Sequence, residues 1–171
     1  MANEGYAAVT SRRVAAEAGL NRALVHYYFH TMDDLFIALL RHRAEIGLAT
    51  QAQALKSDQP LWALWDLYRD NRGTAITMEF VALSNHRKVI RAEIAEMVAR
   101  FRAEELTVLA EAFSRYGVPP GDITPEVAAA LLESVSRFLA AEATLGMSEG
   151  HTETVAFVEG LIRRLEGDRH P

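Results

Sequence analysis

Between Arg22 and Phe29 the side chains sort by helical spacing into two arcs. Arg22, Ala23, His26 and Tyr27 fall on one, and Leu24, Val25 and Tyr28 on the other. The first arc holds a cation, a small residue that permits close approach, and two rings able to hydrogen-bond. Arg22 suits a guanine edge or a phosphate, and the Tyr27 hydroxyl suits a phosphate oxygen. Arg12 and Arg13 stand near the start of the preceding helical stretch, within reach of the same backbone. Such chemistry is recognition of a polyanion rather than catalysis. The plain alternative is the polar decoration of two surface helices in a bundle.

The elements that must position these residues can be drawn from caps and breaks. Thr10 caps a helix from about Ser11 to Ala18, Gly19 permits a turn, and Asn21 caps the helix from Arg22 to Phe29. Two short helices around a glycine turn form a helix-turn-helix pattern. Ala15 and Ala18 allow the helices to cross closely, and Leu20 is expected to point into a small core shared with Val14, Val25, Tyr28 and Phe29. Thr31, with Asp34 three residues on, caps a long helix from Met32 to about Leu55. Further helices are expected over Leu61–Asn71, Thr74–Ser84, Lys88–Tyr116, Pro125–Leu145 behind a Thr124 cap, and Thr152–Glu166. Gly117-Val118-Pro119-Pro120-Gly121 separates two of them, and no alternating strand pattern is found. The fold class is therefore all-α.

The stretch from Val9 to Leu35 resembles the DNA-binding domain of the TetR family of bacterial transcriptional regulators. The resemblance rests on Thr10, Arg12, Val14-Ala15, Ala18-Gly19-Leu20, Asn21-Arg22-Ala23, His26-Tyr27-Tyr28-Phe29, Thr31, Asp33 and Leu35, all in register. It implies contacts to a double-stranded operator from Thr10, Arg12, Arg13, Asn21, Arg22, Ala23, His26, Tyr27 and Thr31. It further implies a homodimer on a near-palindromic site, released when a small-molecule effector moves the helix that follows the reading head. Residues 1–45 would form the DNA-binding domain and residues 46–171 the ligand-binding and dimerisation domain. The chain departs from the family pattern in three places. Met32 stands where a lysine is usual, and His26 where an aromatic is usual. Only the end of a first helix is seen, at Ala2-Asn3-Glu4-Gly5-Tyr6, so that helix reads as truncated.

In the second domain, Trp62, Trp65, Tyr68, Met78, Phe80, Met97, Phe101, Phe113 and Phe138 are the expected lining of an effector pocket. The same stripes also suit an ordinary core. Their composition points to an apolar effector. On the last two helices, Val127, Leu131, Val135, Phe138, Val155, Val158, Ile162 and Leu165 are the expected dimer interface. Glu93, Glu96, Glu104, Glu105 and Glu111 read as an exposed face.

Composition narrows the classes. The 171 residues carry 18 Lys and Arg against 23 Asp and Glu, a net charge of -5, so any DNA contact must come from local cations. The absence of cysteine excludes disulfides and thiol chemistry, and fits a cytoplasmic protein. No apolar run is long enough to span a membrane. His26 and His30 are four apart but lack a third ligand, so no metal and no cofactor is expected. No nucleophile elbow or phosphate loop is visible, and an enzyme is not expected. The alternative to a regulator is a dimeric helical ligand-binding protein with impaired DNA binding.

Overall fold

The computed structural model describes residues 4–69, 74–119 and 121–170. Among the described residues there are eight α-helices and no strand. They are α1 (Ser11–Glu17), α2 (Arg22–Tyr28), α3 (Met32–Ala54), α4 (Pro60–Arg69), α5 (Thr74–Ser84), α6 (Lys88–Tyr116), α7 (Pro125–Thr144) and α8 (His151–Glu166). A 3-10 turn, Tyr6–Ala8, precedes α1. These are the helices expected from the sequence, with ends moved by a residue or two. The expected end of one helix at Asn71, and Ala2, Asn3 and Pro120, lie outside the described residues. No described helix is long and apolar enough to cross a membrane.

The chain packs as two compact units. Unit 1 comprises Met1–Gly47 with Gly73–Ala99, and unit 2 comprises Leu48–Arg72 with Arg100–Pro171. Residues 73–99 thus pack with the N-terminal segment, although they follow the 45/46 division drawn from the sequence. Both α3 and α6 are continuous from one unit into the other.

The core of unit 1 is built on Ala15, Val25, Leu35, Phe36, Leu40, Phe80, Leu83 and Ile90. Phe36 and Phe80 meet edge to face with ring centroids 6.4 Å apart. Tyr6 and Val9 pack against this core from the segment before α1. The Tyr6 amide also donates to Glu79 Oε2 of α5 at 2.6 Å.

Unit 2 is organised by α4, which packs on α7 and α8. Leu61, Trp62, Leu64 and Trp65 are all buried, against Leu109 and Phe113 of α6 and Ala128, Ala129 and Leu132 of α7. Small side chains on the inward row of α7 let α4 approach closely. Thr124 caps α7 by accepting from the Val127 amide at 3.3 Å, and Pro125 opens it.

The N-terminus of α4 has an unusual cap. Its first turn is satisfied not by a local residue but by Glu166, at the end of α8. The Glu166 carboxylate accepts from the Leu61 amide at 2.9 Å, the Trp62 amide at 3.0 Å and the Tyr116 hydroxyl at 2.7 Å. Burial, then the bond to Glu166, pushes the Tyr116 hydroxyl up to about 12. Gln59 binds the carbonyls of Glu166 and Asp168, and the Trp62 indole N–H donates to the Gly167 carbonyl at 3.1 Å. The end of the chain is thereby tied to the start of α4.

Removing this cap tests it. Glu166→Ala leaves two helix-terminal amides without their partner and takes from the half-buried Tyr116 hydroxyl the shortest of its bonds, and is expected to cost unit 2 about 2–4 kcal/mol. Urea unfolding followed by tryptophan fluorescence measures it, since both tryptophans, Trp62 and Trp65, lie in unit 2. An unchanged midpoint would remove Glu166 from its capping role.

Candidate nucleic-acid interface

Helices α1 and α2 are seven residues each, too short to persist alone, and are fixed by their caps and by one buried residue apiece. Thr10 Oγ1 accepts from the Arg13 amide at 3.3 Å, and Asn21 Oδ1 from the Ala23 amide at 2.9 Å. Thr31 and Asp34 cap α3 reciprocally, through Thr31 N–H to Asp34 Oδ2 at 2.8 Å and Asp34 N–H to Thr31 Oγ1 at 3.1 Å. The bonds from Thr31 hold the Asp34 carboxyl below the usual carboxylate range. Between α1 and α2 the Leu20 amide reaches back to the Ala15 carbonyl at 2.8 Å and the Gly19 amide to Ala16 at 3.2 Å. Gly19 closes this turn at φ 65°, a conformation that disfavours any side chain.

Two expectations for the small core need correction. Leu20 is 48% exposed and Tyr28 is 67% exposed. The turn holds Leu20 by its backbone rather than by burial. A helix of two turns offers one position, Val25, to the core, and the Tyr28 ring instead rests edge-on against Tyr27 at 5.2 Å. Val14 and Phe29 do pack on the core.

All nine residues expected to meet DNA are exposed: Thr10, Arg12, Arg13, Asn21, Arg22, Ala23, His26, Tyr27 and Thr31. Thr10, Asn21 and Thr31 spend an acceptor on capping and each keep a donor, which is the capacity a phosphate contact needs. His26 Nε2 accepts from Arg22 Nε at 3.3 Å and lies 3.2 Å from Ser11 Oγ. An arginine only donates, so Nε2 carries no proton in this arrangement and His26 orients Arg22. Ser11 was not singled out from the sequence, because its meeting with His26 spans fifteen residues and two helices.

Glu4 was also missed as part of the site. Its carboxylate grips the Arg13 guanidinium through two bonds, of 2.7 and 2.8 Å, and Arg13 also donates to the Ala8 carbonyl at 3.4 Å. The guanidinium holds the Glu4 carboxyl below its ordinary range. One of the two adjacent arginines is therefore internally neutralised.

The residues expected to line an effector pocket fall in different surroundings. Trp62, Trp65 and Phe113 are buried in the core of unit 2, with Tyr68 packed against it. Phe80 is buried in the core of unit 1, with Met97 packed against that one. Phe101 is half-buried, while Met78 and Phe138 are 47% and 59% exposed. Glu105, expected on an exposed face, is buried in unit 2 at 2% exposure. Its surroundings explain how a carboxyl survives there. Tyr68 bonds it and Arg102 lies 3.9 Å away, while burial still pushes its carboxyl up. Arg102 also binds Glu133 at 2.8 Å.

The expected dimer residues divide by face. Val158 and Ile162 are buried in their own core, and Val135, Val155 and Leu165 pack against it. Val127, Leu131 and Phe138 stand outward on α7, half exposed or more. Phe157 and Leu161 on α8 stand exposed as well, at 67% and 37%. The latter two were missed because α8 has apolar residues on both sides of its inward stripe.

Residues 1–39 match the family model of bacterial regulatory proteins, tetR family. The fold is similar to a TetR transcription regulator from Haloarcula marismortui, with a TM-score of 0.73 and 20% identity over 96% of this chain and 89% of that one. No curated protein matches the chain. The family resemblance and the all-α fold read from the sequence are thus both borne out.

The Arg13–Glu4 pair makes a testable statement about charge. Glu4→Gln releases one cation beside the reading helix. It is expected to raise affinity for any duplex and to steepen the salt dependence by about one unit of log–log slope. Fluorescence anisotropy across a salt series reads both, and an unchanged slope would show that Arg13 stays away from phosphate.

Proposed function

We propose that the chain, whose residues 1–39 match the tetR-family model, is a dimeric repressor that binds a near-palindromic operator and is released by a small molecule. The observation that carries the DNA-binding part is the shared exposure of Arg22, His26 and Tyr27 on a helix anchored from behind by Val25. A cation oriented by a neighbouring ring, with a hydroxyl one residue on, suits the major groove and its flanking phosphates. Ala23 keeps the helix surface low beside Arg22. Thr10, Arg12, Arg13, Asn21 and Thr31 fix the helix on the backbone, a contact that positions without reading sequence.

Dimerisation is supported by the outward apolar row of Val127, Leu131 and Phe138 on α7, with Phe157 and Leu161 on α8. An isologous pairing of such rows would give the two-fold symmetry that a palindromic site requires. Val158 and Ile162 would support that face from within their own core. The effector is assigned to the region of Trp62, Trp65, Tyr68 and Phe113 in unit 2, where Glu105 adds an acid to an otherwise apolar setting. Because α3 runs from the reading segment into unit 2, a ligand that favours one position of α3 biases the reading heads.

Two measurements test this reading. In anisotropy with a duplex from the gene's upstream region, Arg22→Ala is expected to weaken binding about tenfold or more, and Tyr27→Phe several-fold. Unaltered binding by both would remove the assigned face. In sedimentation, the parent chain is expected to be a dimer and Leu131→Glu with Phe138→Glu a monomer. A dimer that survives both substitutions would place the interface elsewhere.

A further inference from the structure

Within unit 2, helices α4, α7 and α8 leave a recess of about 350 Å³. This is the size of a small-molecule site rather than of a single water. Its polar side is formed by Arg69 of α4, Ser136 of α7, and His151 and Thr152 of α8. Its apolar side includes Leu139 and Val155. None of these residues belongs to the candidate DNA surface, and of them only Val155 also packs against the core of unit 2.

Ser136 shows that this recess is more than a gap in the packing. It lies on the inward row of α7 with Ala128, Leu132 and Ala140, at 4% exposure, and its hydroxyl has no hydrogen-bond partner. A buried hydroxyl left unpaired costs free energy that a bound partner restores. The start of α8 is an independent feature of the same place. This helix of 16 residues is capped by Gly150, which offers no side chain to its first amides. Its first two residues, His151 and Thr152, line the recess. An uncapped helix N-terminus carries partial positive charge and amide donors.

Arg69 adds a full positive charge. Its guanidinium lies 5.5 Å from the Trp65 ring centroid and donates to Glu159 Oε1 at 3.4 Å. That contact is long, and the same oxygen accepts from the Trp65 indole at 3.2 Å. Glu142 is held by His151 Nε2 at 2.9 Å. Glu159 and Glu142 are therefore both engaged; Glu153, in the first turn of α8, is exposed, and none of the three lines the recess.

A cation, a buried hydroxyl and a helix N-terminus together suit negative charge, and Leu139 and Val155 add an apolar lining. We propose that this recess binds a small organic carboxylate. The carboxylate lies toward Arg69, Ser136 and the first turn of α8, and a short apolar tail lies against Leu139 and Val155. The Ser136 hydroxyl donates to one carboxylate oxygen, which repairs its missing bond.

Titration of the full chain with sodium butyrate tests this, by calorimetry and by amide shifts in two-dimensional NMR, without any DNA. Butyramide, of the same shape but uncharged, is the control, with sodium chloride matched throughout. Saturable butyrate binding is expected, with shifts at Ser136 and Thr152 and none saturating with butyramide. Ser136→Ala is expected to weaken binding about tenfold and Arg69→Gln at least as much. Circular dichroism checks that each variant is folded. Arg69 also stacks on Trp65, so Thr152→Val replaces Arg69→Gln if the latter unfolds. The proposal is overturned by an absence of saturable binding or by equal binding of butyramide. Unchanged affinity in either folded variant, or shifts confined to other helices, would overturn it as well.

Discussion

Everything at the reading surface depends on holding two seven-residue helices at a fixed angle. Neither helix has the length to be stable by its own hydrogen bonds. Each buries one side chain, Ala15 or Val25, in a core whose bulk comes from α3, α5 and α6. The remaining order comes from ends rather than faces: the Thr10 and Asn21 caps, the Gly19 turn, and the reciprocal Thr31–Asp34 cap. End-capping leaves the outer faces uncommitted. That is why Arg22, His26 and Tyr27 can be exposed on an element that is nonetheless fixed.

The same dependence on ends recurs in unit 2. The opening amides of α4 are satisfied by Glu166, more than a hundred residues away. A remote cap does what a local serine or aspartate would do, but it also closes the chain end onto α4. Loss of one carboxylate would loosen α4, α8 and the Tyr116 hydroxyl together. The recess beside α8 shows the converse, a helix start that no side chain fills.

Local chemistry was legible in the sequence and remote chemistry was not. Caps, breaks and helix order depend on residues within four positions of one another, so Thr10, Asn21, Thr31, Thr124 and Gly19 could be read directly. The exposure of Arg22, Ala23, His26 and Tyr27 could be read because helical spacing separates them from Val25. Leu20 and Tyr28 misled because hydrophobicity states a preference for burial, not its availability; two short helices do not enclose enough volume for both. Glu4, Ser11 and Glu166 were invisible because each acts through a partner brought near only by folding. Phe157 and Leu161 were missed for a different reason. On α8 both the inward and the outward faces are apolar, and periodicity alone does not tell which faces its own core.

The interior of unit 2 is not purely apolar. Gln51 Oε1, Glu105 Oε1 and Ser136 Oγ are buried without a partner. Two of the three are acceptors only, while the serine hydroxyl can also donate. Burial drives the Glu105 carboxyl upward, toward a protonated form that supplies its own donor; Tyr68 and Arg102 pull the other way. Ser136 has no such recourse, since it neither titrates within the ordinary range nor has a charged neighbour on its own turn that bonds it. An acid can adjust its proton to its surroundings, whereas an unpartnered hydroxyl cannot. The proposed carboxylate would meet Ser136, while Glu105 is held by Tyr68 and Arg102.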